Sequence, residues 1–380
     1  MKRQTSVSVS LLFLALLLTT GRIALAGNTW YVDGVSGSDS NNGMAPATAC
    51  KTIGRAVLYS ASGDSIVVAP ATYTENLSIS FDLSVIGSNA WTTIIDGGNS
   101  ATAVAITSSS AHVSLSQLTI RNGSGLKHGG GGVYNLGALT ITNSTISGNT
   151  TNDSVAASGG LGGGIYNSGT LKVVQSTITG NSIIRYRPGA SALGAGIYNS
   201  GKLTIINSTI TANQASAYWP AGVPYGGGIG TVSGTVTVSN STLSKNSASI
   251  HTPYGNYATY GGGIYNKATI GVKFQNSVLA YNTSGGNCYG TVGSLGYNVS
   301  SDTTCAFSGP GEEKNIDPSL GALQNNGGPT QTMALPTGSP AINAGNPNGC
   351  TDGSGNRLQT DQRGSARPST GPCDIGAYNH

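Results

Sequence analysis

One unit of sequence recurs along the middle of this chain at almost constant spacing. The stretch GGGIYNSGTLKVVQSTITGNS begins at Gly162, and similar stretches begin 32 residues before and 32 residues after it. Self-similarity at a period of this length indicates stacked supersecondary units. The apolar residue ahead of the Tyr-Asn pair marks five copies, at Val133, Ile165, Ile197, Ile229 and Ile264.

Each unit carries two short strands that meet at a corner. Leu171 and Val173 alternate with polar residues and Gln175 keeps that alternation, but Ile178 breaks it. Alternation with a period of two is typical of a β-strand, and a break at one fixed place predicts a corner. We expect the polar corner residue to point inward, where amide groups of successive copies would bond one another. That column comprises Asn143, Gln175, Asn207, Asn240 and Asn276.

A strand, a corner and a strand cannot bury an apolar face alone, whereas stacked copies can. Each copy would then hydrogen-bond to the next at a spacing of about 4.8 Å. Glycine tolerates the positive φ that tight corners need. The glycine clusters therefore fit the corner that begins each copy, at 129–132, 162–164, 226–228 and 261–263. The sequence predicts an all-β, single-stranded parallel β-helix.

Several stretches resemble known families. YVDGVSGSDSNNGMAPATACKTIGRAV and GDSIVVAPATYTENLSI resemble the opening of right-handed β-helix proteins of the pectin-lyase-like fold. The GGGIYN…NSTI…N units resemble repeats of polymorphic outer-membrane-type bacterial surface proteins. DPSLGALQNNGGPTQTMALPTGSPAINAG, TDQRGSARP and CDIGAY resemble the choice-of-anchor Q module. These resemblances imply a right-handed solenoid at a cell surface, and the repeats specify a fold without an activity.

The N-terminus reads as a secretory signal peptide. Lys2 and Arg3 precede an apolar run from Leu11 to Leu18, and Ala24-Leu25-Ala26 supplies small residues for cleavage. Eight apolar residues are too few to span a bilayer, and no second long apolar segment follows. We predict a secreted or cell-surface protein without a membrane span in the mature chain. No sorting motif or hydrophobic tail follows Tyr378, so we do not expect a covalent anchor.

These patterns predict three regions. Residues 1–26 form the signal peptide, and residues 27–314 form the β-helix, with regular repeats over 129–285. Residues 315–380 form a small irregular C-terminal cap that resembles choice-of-anchor Q. An open β-helix exposes sheet edges at both ends, so the ends need covers.

Two segments fit those covers. Residues 51–60 place Ile53, Ala56, Val57 and Ser60 on one helical face, which predicts an N-terminal capping helix. The Pro-rich stretch from Asp317 onward is expected to close the other end. Within it, Arg363 and Asp374 are candidates for an ion pair.

Five cysteines lie after the predicted signal peptide, where an exported chain can oxidise them. We expect the local pairs Cys288–Cys305 and Cys350–Cys373, which leave Cys50 unpaired. No spacing resembles a zinc site or a redox motif.

The charge pattern argues against several functions. The formal charge of +4 includes three cations of the signal peptide, and their removal leaves 15 basic against 14 acidic residues. We therefore expect no nucleic-acid partner. Between Gly97 and Ser301 the only carboxylate is Asp153, whereas calcium-dependent lyases and glycoside hydrolases need several. We assign no catalytic residue, metal or cofactor, and a polysaccharide lyase or glycoside hydrolase stays as the alternative.

A tyrosine recurs beside the inward apolar residue of the repeat, at Tyr134, Tyr166, Tyr198 and Tyr265, with Gly230 interrupting the series. Strand alternation places these rings on the outside or at a corner, where they are expected to stack. They form either a structural stack or a binding track.

The variable segments between copies hold most of the remaining aromatic residues. Residues 182–193, 214–225 and 247–260 leave equivalent positions of the repeat, so these loops are expected to lie on one side. Insertions of solenoids cluster on the binding face. The alternative is that their rings only cover the sheet. The candidate ligand-binding residues are Trp219, Tyr218, Tyr186, Arg185, Arg187, Tyr225, Tyr254 and Tyr257.

Together these features predict a structural or adhesive protein that contacts an extracellular polysaccharide or a cell-surface glycan through an aromatic loop face. Flat aromatic rings bind the apolar faces of sugars, and neighbouring Arg or His side chains bond their hydroxyls.

Overall fold

A computed structural model of the protein describes residues 27–125, 129–152, 160–186, 191–218, 222–252, 258–267 and 271–380. The predicted signal peptide, residues 1–26, lies outside the described residues. One α-helix, α1 (Ile53–Tyr59), and one short 3-10 helix (Pro46–Thr48) occur within these ranges, and the remaining regular structure consists of short strands.

In chain order the strands are β1 (Thr29–Val32), β2 (Asp64–Val68), β3 (Ala71–Thr74), β4 (Leu77–Ile79), β5 (Leu83–Gly87), β6 (Thr93–Asp96), β7 (Val104–Ile106), β8 (His112–Ser116), β9 (Thr119–Arg121), β10 (Val133–Asn135), β11 (Ala138–Thr142), β12 (Thr145–Ser147), β13 (Thr150–Asn152), β14 (Gly160–Leu161), β15 (Ile165–Asn167), β16 (Thr170–Val174), β17 (Thr177–Thr179), β18 (Ser182–Arg185), β19 (Ala192–Leu193), β20 (Ile197–Asn199), β21 (Lys202–Ile206), β22 (Thr209–Thr211), β23 (Gln214–Tyr218), β24 (Pro224–Tyr225), β25 (Ile229–Thr231), β26 (Thr235–Ser239), β27 (Thr242–Ser244), β28 (Ser247–His251), β29 (Ile264–Asn266), β30 (Val272–Gln275), β31 (Val278–Ala280), β32 (Cys288–Tyr289), β33 (Gly293–Ser294), β34 (Val299–Ser300), β35 (Glu313–Lys314), β36 (Leu323–Gln324) and β37 (Thr332–Met333).

Three long sheets wrap around one core. Sheet A runs β1-β2-β5-β8-β11-β16-β21-β26-β30-β33, sheet B runs β3-β6-β9-β12-β17-β22-β27-β31-β34-β35, and sheet C runs β32-β29-β25-β20-β15-β10-β7-β4. Neighbouring strands in all three sheets are parallel, and each turn of the chain, here called a rung, gives one strand to each sheet. The chain is a right-handed parallel β-helix. The repeat predicted the parallel β-helix, and the resemblance implied its right-handed sense.

The apolar column of the repeat lines the core. Val133, Ile165, Ile197, Ile229 and Ile264 are register partners in sheet C, and all five are fully buried. The same side chains belong to one continuous apolar cluster that reaches from the first rungs to the last. The prediction of a single buried column is confirmed.

The corner between sheets A and B exists, but its polar residues face outward. Gln175 has φ +48° and Asn207 has φ +46°, and this left-handed conformation turns the chain. Their side-chain nitrogens donate to the carbonyl oxygens of Asp361 and Thr360, which lie outside the solenoid. The prediction that they point inward was wrong, because the left-handed residue ends the strand alternation and the next residue, the buried Ser176, turns inward instead. The predicted amide bond between successive copies does occur between Asn276 and Asn240, at 2.7 Å.

A different asparagine of the repeat forms the inward stack. From one copy to the next, the side-chain Nδ2 of this asparagine donates to Oδ1 of the equivalent asparagine at 2.9 Å. The backbone N–H of the same asparagine donates to that oxygen as well, at 3.0–3.1 Å. All members are buried. We call this column the asparagine ladder; it comprises Asn149, Asn181, Asn213, Asn246 and Asn282.

The glycine clusters form the corner that begins each rung, as expected. Gly162 has φ +65° and Gly226 has φ +64°. A Cβ atom on Gly162 would lie 2.2 Å from the carbonyl oxygen of Ile165, so both conformation and space require glycine there.

Helix α1 covers the N-terminal end. Ile53 and Ala56 are fully buried against the first rung. Thr52 caps the helix by accepting from the backbone of Arg55, and the Glu75 carboxylate accepts from the backbone of Ile53. The predicted capping helix is confirmed.

The far end is covered by residues 302–313. Phe307 is buried against Phe274, with ring centroids 5.9 Å apart. The disulfide between Cys288 and Cys305 ties this cover to the last strand of sheet C. Glu312 accepts from the backbone of Asn298.

Residues 317–380, which we call the flank strap, lie along the outer side of sheet B; we had expected them at the far end. Thr177 Oγ1 donates to the carbonyl oxygen of Gln331 at 2.7 Å. Thr209 Oγ1 donates to Oε1 of Gln362 at 2.7 Å. The buried Arg367 donates to Oδ1 of Asn207 at 3.0 Å. The outward corner residues and threonines of sheet B thus bind this segment.

The ion pair in the strap differs from the expected one. Arg363 pairs with Asp361 at 2.7 Å and does not pair with Asp374. Asp361 also accepts from the backbone of Arg363, so one tight turn holds both charges together. Asp374 instead accepts from the backbone of Asn343 at 2.7 Å.

Both predicted disulfides are present. Cα atoms lie 5.0 Å apart in Cys288–Cys305 and 5.7 Å apart in Cys350–Cys373. Cys50 is free and buried, as expected, and burial raises the pKa of its thiol. Within the described ranges, no helix has both the length and the apolar character to cross a bilayer.

Candidate binding face

The variable segments of the repeat add two small sheets beside the solenoid. Sheet D runs β13-β18-β23-β28 and sheet E runs β14-β19-β24, and both are parallel. Each segment was predicted as a loop. It instead leaves sheet B as a strand and returns to the glycine corner through another strand. The prediction that the segments lie side by side is confirmed.

Three aromatic side chains form a row at the outer end of sheet D. The rings of Tyr186 and Tyr218 stack with centroids 4.8 Å apart, and those of Tyr218 and His251 stack at 4.6 Å. Tyr186 is 58% exposed and Tyr218 is 40% exposed. We call these three residues the aromatic row.

Small polar side chains lie beside the aromatic row on the same face of sheet D. Ser216 and Ser249 share a hydrogen bond of 3.3 Å, and Gln214 donates to Ser249 at 3.4 Å. We call this area the serine floor; it comprises Ser182, Gln214, Ser247, Ser216 and Ser249. Sequence reasoning missed it, although alternation in QASAY (214–218) and SASIH (247–251) places these residues on the face of the aromatic row.

The opposite face of sheet D packs on sheet E and the solenoid. Ile183, Ala192, Ala195 and Ala215 form a fully buried apolar cluster there. Arg185 lies on the same side as Ile183 and is only 1% exposed. The prediction that Arg185 contacts a ligand was wrong, because strand alternation turns its side chain into the protein.

Tyr225 also departs from the predicted aromatic face. It is half-buried, and its ring centroid lies 5.6 Å from that of Tyr260 and 4.6 Å from that of Tyr265. Tyr225, at the end of sheet E, therefore packs against the tyrosines of sheet C and lies apart from the aromatic row. The remaining candidates lie outside the described residues: Arg187, Trp219, Tyr254 and Tyr257.

The stacking within the aromatic row determines which surfaces of its rings a ligand can contact. Tyr218 has one ring face against Tyr186 and the other against His251. Its ring faces are covered, so its exposed surface is the ring edge and the phenol group. The expected stacking of sugars on this flat ring is wrong for Tyr218. Ring edges carry the positive part of the aromatic quadrupole and suit contact with oxygen atoms.

The tyrosines of the repeat form a second column on sheet C. Tyr134, Tyr166 and Tyr198 stack with centroid distances of 4.9 and 5.0 Å. Gly230 interrupts the column, and Tyr265 resumes it by stacking on Tyr289. The predicted outer stack is confirmed. Burial raises the pKa of Tyr134 and of Tyr198.

A groove of about 410 Å³ lies where the sheet C column ends. Ala105 is the register partner of Tyr134, Ser78 is the register partner of Ala105, and all three residues line the groove. Small side chains in place of rings account for this depression.

The carboxylates of the first rungs hold the local backbone. Burial alone would raise the pKa of Asp64, but donors from Ala61, Trp30 and Asn28 hold that pKa below its usual value. Burial raises the pKa of Glu75 at the N-terminus of α1. Over the part of the chain that the structure describes, no three His, Cys, Asp or Glu side chains meet in a way that could hold a metal ion.

No protein-family model matches the sequence, and no curated protein matches it. Similar solved structures include pectate lyase Pel9A, with 14% identity over 93% of this chain and 96% of that chain and a TM-score of 0.45. The pectin methylesterase from Aspergillus niger in deglycosylated form has 14% identity over 78% of this chain and 88% of that chain, with a TM-score of 0.36. The parallel pairing of the chain's own strands shows the fold independently of these likenesses.

Proposed function

We propose that this protein is secreted or cell-surface bound and that it binds an extracellular polysaccharide or a cell-surface glycan in a structural or adhesive role. The observation that carries the proposal is the face of sheet D, where the exposed aromatic row stands beside the serine floor. The signal peptide predicted from the sequence and the two disulfides support an extracellular location.

The chemistry of this face suits sugars. A hydroxyl group donates one hydrogen bond and accepts two, so the half-buried Ser249 keeps capacity for a ligand after bonding Ser216 and Gln214, whereas Ser216 itself is only 4% exposed. Tyrosine offers a large, rigid contact area at low entropic cost. The phenol groups and ring edges of Tyr186 and Tyr218 add contacts for sugar oxygens.

Retention on a panel of polysaccharides tests the proposal. We expect the parent protein to be retained by at least one of cellulose, chitin, xylan, polygalacturonate and amylose. The variant Tyr186→Ala/Tyr218→Ala should lose that retention. Tyr166→Ala is the matched control, because it also removes a stacked tyrosine of the repeat but on sheet C.

The result has three separate meanings. No retention on any polysaccharide contradicts the proposal, and equal retention of all variants contradicts the site. New chain ends in the incubated polysaccharides would instead support the alternative, a lyase or glycoside hydrolase.

We further propose that residues 27–314 and 315–380 are separate units, the second similar to choice-of-anchor Q. The flank strap has its own disulfide. Its apolar residues Leu335, Ala341 and Ile375 share one buried cluster with Val278, Ala280 and Val299 of sheet B, which docks the strap on the solenoid. If it is a separate unit, its amides should exchange with solvent at a lower opening free energy than those of sheet B. A common exchange rate for both regions would contradict this division.

A further inference from the structure

The face of sheet D repeats itself from rung to rung. Strands β18, β23 and β28 pair in register, so Ile184, Ser216 and Ser249 are aligned, and Tyr218 is aligned with His251. Ring centroids in the aromatic row follow one another at 4.8 and 4.6 Å, the spacing of neighbouring parallel strands. The register also aligns Ser182, Gln214 and Ser247, which are exposed or half-buried, so each of the three rungs offers a ring edge and a polar side chain at a constant interval.

Each rung alone offers a weak contact. The middle ring is covered on both faces by its neighbours, so no sugar can stack on Tyr218 without breaking the row. An edge contact and one or two hydroxyl bonds give little affinity individually. The binding free energies of successive rungs add up for one ligand only when that ligand repeats its own groups at the same interval as the rungs.

We infer that the ligand of this face is an unbranched, equatorially linked glycan, such as a β-1,4-linked chain, that lies parallel to the solenoid axis with one sugar per rung over three rungs. This inference rests on the proposed function and names its ligand class. Equatorial linkages keep a glycan straight, so the distance from one sugar to the next is close to the spacing between neighbouring rungs.

Other glycans do not match this face. An α-1,4-linked glucan coils, so only one of its sugars at a time would meet the floor. A branch directed sideways from the chain would collide with the rings of Tyr186 or Tyr218, which stand beside the serine floor and are exposed. The match therefore depends on linkage geometry more than on the identity of the sugar.

Calorimetric titration of the full protein with oligosaccharides of one to six sugars tests this. The probes are β-1,4-linked oligosaccharides of glucose, xylose and N-acetylglucosamine, with α-1,4-linked glucose oligosaccharides of the same lengths as the mismatched set. In at least one β-1,4 series, affinity should rise about tenfold with each added sugar up to three and change less than about twofold beyond four.

Shortening the row should shorten the ligand that saturates it. His251→Ala removes the last ring, so the plateau should move from three sugars to two, whereas His112→Ala, an exposed histidine on sheet A, should leave it at three. Retention of a polysaccharide without a length plateau, or equal affinity for the α-1,4 series, overturns this inference and leaves the proposed function intact. Failure of every polysaccharide and oligosaccharide to bind overturns the proposed function itself.

Discussion

The asparagine ladder and the aromatic row recur with the same repeat, but they differ in where their bonding groups point. Asn181 and Asn213 bond each other inside the solenoid, and each also donates to a core carbonyl. Tyr186 and Tyr218 stack on each other but keep large exposed surfaces. A repeated position can therefore serve the stack alone or also present side-chain surface to a ligand, and the exposure of the repeated side chain separates the two cases.

The largest effect is expected in the apolar core of the solenoid. Ile197→Asp places an unpaired charge in a continuous apolar core, so the protein should not fold. Ile197→Val, which removes one methylene group, should cost about 1 kcal/mol. Solubility and thermal melting measure both. A soluble, cooperatively melting Ile197→Asp protein would contradict the register described here.

The next largest effect is expected for the asparagine ladder. Asn213→Ala removes an acceptor of two hydrogen bonds from Asn181 and a donor to the carbonyl oxygen of Ile178, so buried groups lose their partners. The free energy of unfolding should fall by about 3 kcal/mol. Gln214→Ala, the exposed neighbour, should change it by less than about 0.5 kcal/mol in chemical denaturation. Similar values for both would show that the ladder contributes little.

A direct test sets one tyrosine from each outer column against the other. Tyr198 on sheet C is 8% exposed, so Tyr198→Ala should lower the free energy of unfolding by about 2 kcal/mol without changing glycan retention. Tyr218→Ala should cost less than about 1 kcal/mol and should abolish retention. Chemical denaturation and glycan retention are measured on both variants. If Tyr198→Ala abolished retention and Tyr218→Ala lost only stability, the sheet C column would be the binding surface instead of the aromatic row.

The smallest effect is expected at high pH. Burial raises the pKa of Tyr198, so the folded state holds its phenol proton longer than the unfolded chain does. The resulting stability is present below the unfolded pKa of about 10 and is lost as the pH rises through the folded value. Tyr198→Phe should remove part of this decline in denaturation curves measured between about pH 9 and 11. If the free energy of unfolding of Tyr198→Phe fell with pH as steeply as that of the parent, ionisation of Tyr198 would not be the cause.

Much of the solenoid followed from spacing and alternation. The column through Ile197, the corner at Gln175 and the glycine corners were predictable, because period and parity are properties of the sequence itself. The inward ladder was assigned to the wrong asparagine. Both asparagines of the unit recur with the same period, and a left-handed residue ends the alternation that would have distinguished them.

The candidate face was less predictable for a similar reason. Residues 182–186 lie in a variable segment that predicts a loop, and the strand alternation that separates the buried Arg185 from the exposed Tyr186 is too short there to be distinctive. The packing of Tyr225 on Tyr260 and Tyr265 depends on where the chain returns to the solenoid, which no local pattern encodes. The serine floor was overlooked because small polar residues are common throughout this chain.

The flank strap has a consequence for how this gene can change in length. Tandem copies invite unequal recombination, and in a bare solenoid one copy more or fewer would be tolerated because each rung contacts only its neighbours. Here Gln175, Asn207 and Asn240 each bind a particular point of the strap. Loss of one 32-residue copy would remove one of these attachment points. The remaining points would then no longer lie opposite their partners in the flank strap, whose length would be unchanged. The attachment points therefore match the strap only at one copy number, even where the copies themselves are interchangeable.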